Sequence, residues 1–145
     1  MSNRISIKKS EPGAYKALGG LAGYVEGTQL TRTHRDLINI RTSQLNGCAY
    51  CIDQHTREAR EAGESERRIY ALNAWRETPF FDEKERAILA LTEAVTFIHK
   101  GVSNEVYQQA AAVLDEHYLA AVIMAIINMN AWNRLGISTG MQPAQ

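Results

Sequence analysis

The sequence has little of what marks several specialised classes of protein. Its 145 residues include only two cysteines and three prolines, and 16 Lys and Arg residues are balanced by 16 Asp and Glu residues. A disulfide-rich scaffold, a collagen-like repeat and a basic nucleic-acid binder are therefore excluded. The longest apolar run, residues 119–127, has nine residues, whereas a membrane span needs about 20. The composition predicts an ordinary globular protein.

The N-terminal segment lacks the apolar stretch of a secretory signal, so we expect a cytoplasmic protein. Thiols are kept reduced in that compartment, and two cysteines are not expected to form a structural disulfide there. The length is typical of one domain. Residues 1–145 are therefore predicted to form a single domain with no nucleic-acid or membrane partner.

Helical periodicity runs through almost the whole chain, because apolar residues recur three and four positions apart and no alternating strand pattern competes. We predict an all-α fold, a compact bundle of about six or seven helices. The first four predicted segments are 14–25, 33–45, 48–63 and 65–74, and Asn46-Gly47 is the predicted stop of the second. A fifth helix is capped by Asp82 and Glu85 and ends at 99–101, and a sixth is capped by Ser103. The last segment is 119–134, with Gly136 as its predicted stop. The part of the last segment from 119 to 127 is apolar on all sides, which predicts a central or interface position.

The two cysteines lie three residues apart, as Cys48 and Cys51, and His55 follows four residues later. On a helix the three side chains share an arc of about 60°. His55 is one turn from Cys51 and could take its proton. Cys48 stands at the start of the predicted helix, where free backbone N–H groups favour a thiolate and lower a cysteine pKa from ~8.5 to ~3.5–7.5. These two arguments favour different nucleophiles and leave the choice open.

The cysteine pair is also compatible with roles that involve different chemistry. The cysteines could be inert core residues. They could also bind zinc with His55, but a structural zinc site needs four ligands, so Asp36 or a distant histidine would have to complete it. Haem attachment needs a histidine directly after the second cysteine, where this sequence has Ile52. A thioredoxin-like site needs a βαβ context that the helical pattern does not offer. We therefore expect no metal and no cofactor.

Residues 41–56, RTSQLNGCAYCIDQHT, resemble the signature of the AhpD-like alkylhydroperoxidase branch of the carboxymuconolactone decarboxylase family. Residues 75–81, 85–87 and 130–134 resemble the same family, and the likeness covers about residues 10–138. The family fold is all-α, which agrees with the periodicity. Decarboxylases of the family generally lack the cysteine pair, so its presence favours peroxide chemistry.

The resemblance implies a thiol peroxidase in which Cys51 attacks the peroxide, Cys48 resolves the product as a disulfide, and His55 serves Cys51. The family's proton relay also has a glutamate twelve residues before the first cysteine, where this sequence has Asp36. Asp36 keeps the carboxylate and could act through a water, or it could be an exposed helix residue. The family pattern can place a histidine between the cysteines. Tyr50 stands there and is a poor base at neutral pH.

The resulting hypothesis is a cytoplasmic hydroperoxide reductase that is restored by an external dithiol or protein reductant. The family also implies a homo-oligomer, a trimer or a hexamer. The alternatives are a redox-sensing or metal-clipped oligomeric protein without catalysis, and a lyase or decarboxylase acting on a small acid.

Five further side chains have weaker arguments behind them. The remaining histidines, His34, His99 and His117, are expected at the surface or at helix ends. Trp132 lies four residues after Asn128, and the favoured interpretation is a core tryptophan with a buried amide partner rather than a pocket residue.

Overall fold

The computed structural model describes residues 4–144 and contains helices but no strand in that part of the chain. Eight α-helices and two short 3-10 segments follow one another, so the predicted all-α fold is confirmed. The α-helices are α1 Ile7–Ser10, α2 Pro12–Glu26, α3 Arg32–Asn46, α4 Ala49–Glu61, α5 Glu66–Ala71, α6 Glu83–Thr96, α7 Asn104–Val113 and α8 Glu116–Thr139, and the 3-10 segments are Leu72–Glu77 and Ile98–Lys100.

Side-chain caps explain where most of these helices begin. In five of them a side-chain oxygen of the residue before the first turn accepts a hydrogen bond from the backbone N–H three positions on, which satisfies a donor that the helix leaves free. The capping residues are Thr31, Ser65, Asp82, Ser103 and Asp115. The predicted capping box of Asp82 and Glu85 and the predicted cap at Ser103 are confirmed. The Asp115 cap starts α8 three residues earlier than the apolar pattern indicates.

The structure corrects the predicted end of the last helix. Gly136 does not stop α8, which continues to Thr139 and ends at Gly140, where φ is +70°. A glycine costs only about 1 kcal/mol inside a helix. Gly136 is buried within α8, and the sulfurs of Cys48 and Cys51 pack against it.

The end of α6 also differs from the prediction. The helix ends at Thr96, and Ile98–Lys100 forms a separate 3-10 turn. Gly101 follows with φ +76°, a backbone conformation that favours glycine. The predicted segment 65–74 likewise divides into α5 and the 3-10 segment Leu72–Glu77.

Helix α8 lies at the centre of the bundle and contacts α2, α3, α4, α6 and α7. Its buried residues Val122, Ala125 and Ile126 join an apolar cluster with residues of α3, α6 and α7. A second cluster lies on the other side of α3, around Leu37, Ile40, Leu72, Trp75 and Leu89. The central position predicted for the all-apolar segment is thus confirmed. None of the helices in residues 4–144 is long and apolar enough to cross a membrane.

Candidate active site

The two cysteines lie at a tight connection between α3 and α4. Gly47 ends α3 with φ +69°, and the N–H of Cys48 donates to the carbonyl of Ser43 across 3.0 Å. This left-handed turn is a common helix C-cap, which needs glycine for its positive φ. Cys48 is the N-cap of α4. The helix stop at Asn46-Gly47 and the helix-start position of Cys48 are both as predicted.

Cys48 and Cys51 are joined by a disulfide, with their Cα atoms 5.3 Å apart. The backbone N–H of Cys51 also donates to Cys48 Sγ across 3.4 Å. Both residues are buried, with 2% of Cys48 and 5% of Cys51 exposed. A disulfide on one turn of a helix is the form that a redox-active pair takes after oxidation.

Gly136 of α8 covers the disulfide. A Cβ atom at this position would lie 3.4 Å from Cys48 Sγ and 3.8 Å from Cys51 Sγ. The glycine therefore lets the backbone of α8 approach the sulfurs. Met141 follows the helix and places its Sδ 3.9 Å from the same point.

A cavity of about 680 Å³ opens beside the disulfide and is walled by α2, α3, α4 and α8. Cys51 lines this cavity, whereas Cys48 does not. The other predicted site residues, His55 and Asp36, line it as well, together with Tyr50. The structure thus brings three of the four predicted residues to one space and places Cys48 directly behind it.

His55 is held by a partner that the sequence arguments missed. Its Nδ1 lies 3.0 Å from a carboxylate oxygen of Glu58, one helical turn further on. When Nδ1 carries the proton and donates to Glu58, Nε2 is the ring atom that can accept a proton. The His55 side chain is 14% exposed and that of Glu58 is 40% exposed. The spacing of three residues on a predicted helix would have indicated this pair.

Asp36 is buried, with 4% exposed, so the alternative of an exposed helix aspartate is wrong. Arg32 Nε donates to both carboxylate oxygens of Asp36 across 2.8 Å, and Arg32 also donates to the carbonyl of Glu58 across 3.1 Å. Burial raises the pKa of Asp36 above its ordinary value, although the Arg32 guanidinium opposes the rise. Arg32 therefore ties α3 to α4 at the wall of the cavity. Its spacing of four from Asp36 was the available signal.

The position of Trp132 differs from the predicted core position. This residue is only partly buried and lines the cavity, with its ring edge-on to Tyr15 at a centroid distance of 5.4 Å. Asn128 is not its hydrogen-bond partner. Asn128 also lines the cavity, and its buried Oδ1 has no hydrogen-bond partner among the described residues. A buried amide oxygen without a partner is costly for stability.

The remaining histidines lie where the sequence predicts. His99 and His117 are exposed. His34 lies in the first turn of α3, with Nδ1 2.6 Å from the hydroxyl of Tyr118. Burial lowers its pKa below the ordinary value. Within residues 4–144 no three His, Cys, Asp or Glu side chains are grouped to hold a metal ion.

Comparison with known proteins assigns the chain to a family. The model of the carboxymuconolactone decarboxylase family matches residues 12–94, which include the cysteine pair, His55 and Asp36. The uncharacterized protein YdfG of Bacillus subtilis strain 168 is 41% identical over 145 residues, covering 99% of each chain.

Two solved structures place the fold among its relatives. A protein of unknown function from Agrobacterium tumefaciens, described provisionally as the antioxidant defence protein AhpD, is 34% identical with a TM-score of 0.96, covering 100% of this chain and 99% of its own. The debrominase Bmp8 is 20% identical with a TM-score of 0.80, covering 94% of this chain and 74% of its own. At that identity the second comparison supports the fold alone.

Proposed function

The chain belongs to the carboxymuconolactone decarboxylase family and is AhpD-like, and from this premise we propose that it is a thiol-dependent reductase of alkyl hydroperoxides. One observation carries the proposal. Cys51, which is bonded to Cys48 in the oxidised state, faces a cavity of about 680 Å³ that also holds His55 and Asp36. A nucleophile, a resolving thiol and two groups that move protons are the parts that reduction of an O–O bond needs.

The proposed reaction begins with reduced cysteines. His55 takes the proton of the Cys51 thiol, and the thiolate attacks the terminal oxygen of the hydroperoxide. The O–O bond breaks, Cys51 becomes a sulfenic acid, and the alkoxide takes the proton from His55 and leaves as the alcohol. The Cys48 thiol then condenses with the sulfenic acid, releasing water and forming the disulfide. An external dithiol reduces the disulfide and is itself oxidised.

Glu58 and Asp36 support His55 in different ways. Glu58 holds the ring through Nδ1, which fixes the tautomer and stabilises the imidazolium that forms. Asp36 lines the same cavity, and its pKa is raised. A carboxylate with a raised pKa is a better proton acceptor, and a water can connect it to the ring. Tyr50 supplies a hydroxyl where the family pattern can have a base.

The test is peroxide turnover by Cys51→Ser and Cys48→Ser, with cumene hydroperoxide as substrate and dithiothreitol as reductant. Cys51→Ser should lose turnover and its first, stoichiometric reaction with peroxide. Cys48→Ser should keep that first reaction and accumulate a sulfenic acid, which dimedone labels. Because serine is close in size to cysteine, the two variants are matched controls for each other. Full turnover by Cys51→Ser would rule out the proposal.

Two other outcomes would favour the alternative functions. Disulfide formation with peroxide but no turnover with any thiol would indicate a redox sensor. A lyase or decarboxylase would instead retain its activity on a small acid in a Cys48→Ser, Cys51→Ser double variant.

We also propose that the protein is a homo-oligomer, a trimer or a hexamer, assembled through an apolar groove. The groove lies on the side of α8 away from the disulfide cavity and has a volume of about 610 Å³. Three large apolar side chains in it are exposed, Ile98 by 61%, Tyr107 by 42% and Ile127 by 43%. Contiguous apolar surface of this kind typically marks an interface.

A peroxidase of this type depends on a supply of reduced thiols. We therefore propose the cytoplasm as its place of action, because thiols are kept reduced there. Cell fractionation followed by immunoblotting tests this location, and recovery of the protein outside the cytoplasmic fraction would contradict it.

A further inference from the structure

We propose that the reducing thiol attacks Cys51 and that Cys48 is the leaving group, so that one sulfur, that of Cys51, reacts both with the peroxide and with the reductant. The inference rests on the proposed function for the supply of a dithiol. It concerns a choice that the chemistry leaves open, because a thiolate can attack either sulfur of a disulfide. Access favours attack on Cys51, and leaving-group stability favours departure of Cys48. Both therefore predict the same direction of attack.

Access differs between the two sulfurs. Cys51 lines the cavity beside His55, Tyr50 and Trp132, whereas Cys48 is absent from its walls. The backbone of α8 also lies nearer to Cys48, since a Cβ on Gly136 would stand 3.4 Å from Cys48 Sγ and 3.8 Å from Cys51 Sγ. A thiol that enters the cavity therefore meets Cys51 first, and Cys48 lies behind it.

Leaving-group stability points the same way. Negative charge develops on the sulfur that is expelled, and a thiol of lower pKa leaves faster. Cys48 is the N-cap of α4, a helix of 13 residues, and its Sγ already accepts the N–H of Cys51 across 3.4 Å. The free N–H groups and the positive end of the helix dipole stabilise a thiolate at this position. Cys51 lies inside the first turn, away from the N-cap position at which a side chain accepts from these groups.

The two halves of the cycle then divide the work between the cysteines. The first thiolate of the dithiol attacks Cys51 Sγ, the Cys48–Cys51 bond breaks, and its electron pair goes to Cys48. The second thiolate of the dithiol attacks the donor sulfur of this mixed disulfide and expels the Cys51 thiolate. The donor is released as a disulfide, and Cys51 faces the cavity again as the nucleophile for the next peroxide. The N-terminus of α4 thus stabilises the Cys48 thiolate that forms during reduction. His55 takes the proton of Cys51 before Cys51 attacks the peroxide.

The experiment maps the mixed disulfide on the oxidised wild-type protein. The folded protein is mixed briefly with β-mercaptoethanol, stopped in acid to protonate the thiolates, and treated with N-ethylmaleimide to alkylate the thiol that was released. Chymotrypsin cuts after Tyr50 and so separates Cys48 from Cys51, and mass spectrometry locates each modification. We expect β-mercaptoethanol on Cys51 and N-ethylmaleimide on Cys48 in about tenfold excess over the reverse pattern.

The same reaction in concentrated urea is the control, because both sulfurs are then accessible and the preference for Cys51 should largely disappear. A folded protein with the adduct on Cys48, or on both cysteines equally, would overturn the inference. The mapping uses no peroxide, so its result is independent of peroxide turnover. Turnover without the Cys51 preference would refute the inference alone, and the preference without turnover would refute the proposed function.

Discussion

Gly136 lies against both sulfurs of the disulfide. An added methyl group would stand 3.4 Å from Cys48 Sγ and 3.8 Å from Cys51 Sγ. Reduction separates the two sulfurs, so the reduced state needs more room than the oxidised state. We therefore expect Gly136→Ala to favour the disulfide and to shift its equilibrium with glutathione roughly two- to tenfold toward the oxidised form.

Gly20→Ala is the matched control for this shift. Gly20 also lies inside a helix, and a Cβ atom there would meet nothing within 4 Å. Gly20→Ala therefore shows how a change in helix propensity alone affects the disulfide equilibrium, since the added methyl group does not contact the sulfurs. Equal disulfide equilibria for Gly136→Ala and wild type would show that the sulfurs separate away from α8.

Two buried asparagines of α8 differ in how their amides are satisfied. Asn128 Oδ1 has no partner within residues 4–144. Asn133 accepts from Asn46 Nδ2 across 2.9 Å and donates to Ser43 Oγ across 3.0 Å. Because the cost of a buried polar group depends on its partners, Asn128→Leu should stabilise the protein by about 1 kcal/mol and Asn133→Leu should destabilise it by about 1–3 kcal/mol.

Urea denaturation of the two asparagine variants measures this difference, with the midpoint compared at constant slope. The variants serve as controls for each other, since both replace an amide by an apolar side chain on the same helix. A loss of stability in Asn128→Leu similar to that in Asn133→Leu would mean that Asn128 is satisfied in solution, for example by a water in the cavity.

At the level of helices, the first turns of α3 and α8 are joined by a short chain of hydrogen bonds. The N–H of Thr31 donates to Tyr118 Oη across 3.1 Å, and that hydroxyl lies 2.6 Å from Nδ1 of His34. A protonated Nδ1 would donate to this hydroxyl, whereas in the arrangement with a neutral His34 the Tyr118 proton goes to Nδ1. Burial lowers the pKa of His34 in agreement with this arrangement.

This link predicts a specific dependence of stability on pH. The unfolded ring takes up a proton near pH ~6.5 while the folded ring does not, so the contribution of His34 to stability is present above that pH and falls as the pH drops below it. His34→Asn keeps an acceptor for Tyr118 but does not titrate. Its denaturation midpoint should therefore fall less than that of the wild type between about pH 7.5 and pH 5.5. Parallel curves for the two proteins would show that His34 has an ordinary pKa.

For the whole molecule, the exposed apolar groove is the surface that the proposed oligomer would bury. Ile127 lies in the groove and is 43% exposed, while Ile137 lies on the same helix outside it and is 44% exposed. Ile127→Glu should dissociate the oligomer because the interface would bury an unpaired charge. Ile137→Glu should leave it intact. Light scattering gives the mass of each variant, and a wild type with the mass of one chain would contradict the assembly.

Much of the molecule follows from interactions between residues that are close in the chain. The caps at Asp82 and Ser103, the turn at Gly47 and the N-cap position of Cys48 each depend on contacts within one or two helical turns. The placement of Cys48, Cys51 and His55 on one helix face follows from helical periodicity alone. These features were therefore accessible from the amino-acid order.

The remaining features of the site depend on how distant helices pack. The burial of Asp36, the pocket position of Trp132 and the contact of Gly136 with the sulfurs all require α8 to lie against α3 and α4. In the sequence, Gly136 has the pattern of a helix stop. The neighbouring residues in the chain do not distinguish a glycine that a turn needs from a glycine that a close approach of two helices needs. Which cysteine faces the cavity likewise depends on the four helices that enclose it, since no local rule specifies which residues of separate helices will meet.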